Sequence, residues 1–135
     1  MTDPSPEGYV DPVNQQEVAA VLGSVLRTIG VPGLGDLLGR VPGSRVEAPR
    51  AGGMFRRAMP PSVWLSPEHQ LQLGEPVVHA HVVGGVVLAR EPLPPGRLPE
   101  AVARLLVAAI TDQGSHAEAA VVLTAARETC ERLQP

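Results

Sequence analysis

A chain of 135 residues, 44% of them hydrophobic, is long enough for one domain and apolar enough for one core. A net charge of −3 argues against a general binder of nucleic acid or anionic membrane, and no run reaches the ~18–20 apolar residues of a membrane span. The single cysteine, Cys130, excludes an internal disulfide framework and a multi-cysteine zinc site.

Aromatic residues make up only 2% of the chain: Tyr9, Phe55 and Trp64. The core must therefore be assembled from Val, Leu, Ile and Ala, many small pieces with few large anchors. All 11 basic residues are arginine, a bias expected of GC-rich bacterial coding. Met1–Val10 has neither a charged start nor an apolar run, so no signal peptide is expected, and the cytoplasm is the expected compartment.

Residues 1–12 hold three prolines, one glycine and three acids and read as a flexible tail, followed by a single domain over 13–135. Asn14 is a good helix N-cap, with Glu17 three residues on. Val18, Val21, Leu22, Val25, Leu26 and Ile29 follow at helical spacing, and Gly30 and Pro32 end the pattern. Residues 31–61 read as a long Gly/Pro/Arg-rich loop, with one helical turn at Asp36–Val41. Four strand signals come next: Ser62–Leu65, His69–Leu73, Val77–Val83 and Val86–Glu91. Gly84–Gly85 between the last two is a strong hairpin signal. A two-residue turn with unbroken pairing sets Val83 opposite Val86, His81 opposite Leu88 and His79 opposite Arg90. It leaves Val78, Ala80, Val82, Val87 and Ala89 as the expected core face. A helix over Pro99–Asp112 ends at Gly114. Ser115 with Glu118 predicts a capping box for a last helix that runs to Leu133, with Ala119, Val122, Leu123, Ala126, Cys130 and Leu133 on one face.

Successive strands joined by tight turns must be antiparallel. The expected fold is therefore α+β in two layers: an N-terminal helix, an antiparallel sheet of three to four strands, and two C-terminal helices packed on the sheet.

Chemistry-bearing residues are few. His79 and His81, two apart in a strand, project from one face and can share a transition metal. His69, with Glu68 or Glu75, would complete such a set. Gly33-Leu34-Gly35 with Gly39 lacks the preceding strand that a phosphate-binding fingerprint needs. Cys130 falls on an apolar helix face and reads as a small buried hydrophobe. Ser115 beside His116 is better explained as a helix cap than as a nucleophile and its base.

Over 42–61 the chain carries Arg45, Arg50, Arg56 and Arg57 against one acid, Glu47. Arginine suits phosphate and carboxylate groups. Arg50, Phe55, Arg56, Arg57, Trp64 and Arg90 are the residues expected to meet a ligand or partner.

No triad or paired-carboxylate spacing is present, and no cofactor is expected. Apolar residues lie outside the core stripes, at Val107, Val121 and both faces of the hairpin tip. They point to a non-catalytic binding or adaptor protein that meets a protein partner or a second copy of itself, with no nucleic acid and no membrane span. The alternatives are a pocket for an apolar-anionic small molecule and a small enzyme that uses the His79/His81 region.

Overall fold

In the computed structural model the described residues are 8–54 and 57–134. Helix α1 spans Gln15–Thr28. Asn14 caps it, its Oδ1 accepting the Glu17 N–H at 3.1 Å, and Glu17 accepts from the Asp11 amide instead of completing a capping box. Val18, Val21, Leu22 and Val25 are its buried stripe.

Gly30 and Pro32 do not end the helical region. A second helix, α2, runs over Gly30–Arg40, where the sequence predicts a loop with one turn. Pro32 lies in its first turn, where no backbone N–H is needed. The helix gains its stability from tertiary contact, since Leu34, Leu37 and Leu38 are buried in the core. Its glycines serve close packing. A β-carbon on Gly39 would come within 2.7 Å of Val46, and one on Gly35 within 2.7 Å of Leu73.

Five strands follow: β1 Arg45–Glu47, β2 Ser62–Ser66, β3 His69–Gln72, β4 Val77–Val83 and β5 Val86–Leu93. They form one sheet in the order β1-β2-β3-β4-β5, antiparallel throughout. β1 lies inside the segment read as a loop, so the sheet has one strand more than expected. Gly84 and Gly85, with φ of 58° and 81°, make the two-residue turn into β5.

Helix α3 spans Leu98–Gln113, and Gly114 at φ 65° closes it with backbone bonds to Ile110 and Thr111. Helix α4 spans His116–Leu133. Ser115 precedes α4 but does not cap it through its side chain. Its Oγ is buried without a partner, so the predicted capping box is absent. Leu133, expected on the buried face, is 59% exposed.

The two N-terminal and two C-terminal helices form one layer, in which α1 packs against α2, α3 and α4. That layer meets the sheet through β2, against which α2 and α3 pack. Val18, Leu22, Leu34, Leu38, Val102, Leu106, Ile110 and Leu123 join Val63, Leu65, Leu71, Val77 and Leu93 in one core. The architecture is α+β in two layers. Val10, in the segment read as a tail, is buried in this core, and its N–H donates to Thr124 Oγ1 on α4.

Candidate functional site

Register decides which side chains share a face, because cross-strand partners point the same way and neighbours along a strand alternate. Val46, Val63, Leu71, His79 and Glu91 form one row across all five strands, and Val63 and Leu71 are in the core. The histidines of β4 are therefore on the helix-facing side of the sheet. Arg45, Trp64, Gln70, Ala80 and Arg90 form the neighbouring row on the opposite face.

The expected hairpin register is corrected by a bulge. His81 pairs with Ala89 and Val82 with Val87, so Leu88 is left between pairs. On the turn side Val83 meets Val86 as expected. Beyond the bulge, Ala80 meets Arg90 and His79 meets Glu91. The sequence also placed Val78 and Ala80 on the core face. They belong to the face away from the helices, and Val77, His79 and His81 take the inner one. The extra residue changes which β5 side chains each β4 residue meets; the face β4 turns inward follows from its unbroken pairing with β3.

The inner face carries a histidine cluster on β3 and β4. His69 pairs with His81 and lies diagonal to His79. His69 Nδ1 and His79 Nε2 share a hydrogen bond of 2.9 Å. The His69 ring stacks on those of His79 and His81, with centroids 5.1 and 4.9 Å away. His81 Nε2 is 3.6 Å from the Glu68 carboxylate. Burial and then the charge of His81 lower the proton affinity of His69. Burial and then the charge of His69 lower that of His79. Sequence spacing singles out His79 and His81; the structure adds His69 to both. Among the described residues, however, no group of three or more His, Cys, Asp or Glu could hold a metal ion. The metal expectation for His79 and His81 has no third ligand in place.

The outer face joins two of the sequence-selected partner residues. Trp64 and Arg90 share a row, separated by Gln70 and Ala80. Arg45 stacks its guanidinium 5.3 Å from the Trp64 ring centre, and the Trp64 indole N–H donates to Glu47. Gln72 donates to Gln70, which donates to Ser62, and all three residues are buried. Arg50 bridges to Met59 through both backbone hydrogen bonds, and Arg57 is exposed in the same β1–β2 connection. Phe55 and Arg56 lie outside the described residues.

The two edges of the sheet differ. β1 is three residues long and carries Arg45 and Glu47, a short charged edge that resists pairing. β5 is eight residues long, and Val86 through Pro92 are all exposed. At its hairpin end Val86 and Leu88 are 61% and 60% exposed, beside Val83 and Val87. Val82 and Val87 face outward, and Val83 and Val86 face the helix side, so the tip is apolar on both faces. This edge is long and exposed, and apolar at its hairpin end.

Known proteins add nothing to this geometry: the chain matches no family model, no curated protein and no solved structure.

A groove of about 670 Å³ lies between α2 and the β1 side of the sheet, with Val31, Val46 and Leu73 among its walls. Its charged residues are Asp36, Glu75 and Arg40. Two acids against one arginine do not favour the anionic head group expected of a small-molecule ligand. No helix among the described residues is long and apolar enough to cross a membrane.

Proposed function

We propose that this chain is a non-catalytic protein-binding module that acts through the β5 edge and the tip of the β4–β5 hairpin, with a second copy of itself as the partner. The single observation that carries this reading is an eight-residue edge strand exposed from Val86 to Pro92, with Val83, Val86, Val87 and Leu88 clustered at one end. A strand in this position has unpaired backbone donors and acceptors along its outer side. A second polypeptide in extended form satisfies them and covers the valines in the same step.

Self-pairing is favoured by the strand's own chemistry. Val86 and Val87 are β-branched and suit a paired strand. Arg90 and Glu91 cancel in charge, so two copies run antiparallel without net repulsion. Pro92, which lacks an N–H, limits pairing to the hairpin side of the strand. Dimers of this isologous kind are the commonest assembly among soluble proteins. In this reading Arg90 lies at the joined edge on the outer face, Trp64 shares that face three strands away, and the exposed arginines of the β1–β2 connection, Arg50 and Arg57, remain available to an acidic surface on a further partner.

The test is sedimentation velocity at micromolar concentration on the wild type and on the Val86→Lys/Leu88→Lys variant. The wild type should sediment as a dimer and the variant as a folded monomer, because buried lysines oppose edge pairing. A wild type that remains monomeric, or a variant that stays dimeric, refutes pairing at β5.

A further inference from the structure

We propose that His69, His79 and His81 form a proton-sensitive clasp that holds β4 against β3 at neutral pH and releases the β4–β5 hairpin in mild acid. The inference is independent of how β5 is occupied. It rests on the arrangement of the three rings.

The shared hydrogen bond between His69 Nδ1 and His79 Nε2 needs one donor and one acceptor. Two neutral imidazoles satisfy it, and one neutral ring with one imidazolium satisfies it more strongly. Two imidazolium rings cannot, since both nitrogens then carry protons and face each other at 2.9 Å. The clasp therefore tolerates one proton and fails on the second. His81 tightens this limit. Its ring lies within 8° of parallel to His69, so its own protonation adds a third positive charge to the stack.

The surrounding charges divide. From the β2–β3 turn, Glu68 faces His81 and His69; from β5, Glu91 lies opposite His79. Both favour protonation. From α3, Arg104 opposes it at His79. Burial and repulsion within the cluster outweigh the two acids, and the proton affinities of His69 and His79 are lowered. Groups whose folded pKa lies below the unfolded value lose stabilisation as pH falls. At neutral pH the cluster is intact. The loss starts near the ordinary histidine value of 6.5 and is complete once pH has passed below the lowered values in the fold.

The mechanical consequence is local. β3 and β4 are joined by backbone bonds over His69–Gln72, and the cluster lies on that junction. β4 and β5 form a hairpin that can loosen as a unit while the helical core stays packed.

The experiment is amide hydrogen exchange on the full chain at pH 7.5 and pH 5, corrected for intrinsic rates, for wild type and for His69→Gln/His79→Gln. In the wild type, amides of Val77–Leu93 should lose protection at pH 5 while those of α3 keep theirs. The double variant should show no such pH dependence. A His116→Gln control, altered at the exposed start of α4, should behave as wild type. An equal loss in wild type and double variant, or no selective loss in the wild type, overturns the proposal. Proton NMR titration of the wild type provides a readout that needs no variant. His69 and His79 should titrate in two separated, coupled steps, and independent single titrations of both would equally overturn it.

Discussion

The backbone N–H of Val10 donates to Oγ1 of Thr124 at 2.9 Å, tying the chain's beginning to its last helix across 114 positions of sequence. Both residues are buried, at 1% and 5% exposure. Loss of the hydroxyl would leave a buried donor without a partner.

Thr124→Val should therefore destabilise the fold by about 1–3 kcal/mol, the usual cost of a buried unsatisfied group. Thr124→Ser keeps the acceptor and should lose much less. Denaturant melts of the three proteins, with exchange of the Val10 amide, check this. A valine variant as stable as the wild type would show that the N-terminal segment does not contribute to the folded state.

Leu106 on α3 is fully buried in the common core. Leu106→Ala removes its packing and should leave a cavity, at a cost of about 2–5 kcal/mol. Chemical denaturation measures this directly. A loss below about 1 kcal/mol would mean that the core closes over the gap, contrary to the packing of α3 on α1 and β2.

The β1–β2 connection should be the first site of limited tryptic cleavage, because Arg50 and Arg57 are exposed and the helix arginines lie within regular structure. Replacement of Arg50 and Arg57 with Ala should change stability by no more than about 0.5 kcal/mol, as is usual for surface positions. If these arginines meet an acidic partner, the same change should weaken binding and flatten its salt dependence. Peptide mapping after brief trypsin treatment tests the first point, and binding at two salt concentrations tests the second. Initial cuts at α1 or α4 would contradict the assignment of exposure.

The elements with strong local signals were legible in the sequence. Asn14 before the Val/Leu stripe marked α1, the Gly84–Gly85 pair marked the last hairpin, and Gly114 marked the end of α3. Each of these acts over a few residues, through capping, turn geometry or left-handed backbone, and needs no distant partner. Antiparallel strands and a helical layer followed from their order. The selected partner residues divided. Trp64 and Arg90 are on one face, Arg50 and Arg57 are in the connection between β1 and β2, and the histidines are on the other side of the sheet.

What tertiary structure alone decided involved distant contacts. α2 is rich in glycine and begins with Gly-Val-Pro, a poor helix by local propensity. It is helical because Leu34, Leu37 and Leu38 are buried and its glycines let Leu73 and Val46 approach. β1 is a strand because β2 lies beside it. Pairing with β3 set which face of β4 turns inward, and with it the meeting of His79 and His81 with His69, while the bulge at Leu88 set which β5 residues they oppose. Sequence spacing determined that His79 and His81 share a face; only long-range pairing, whose register no local rule specifies, decided which face it is and which third ring completes it.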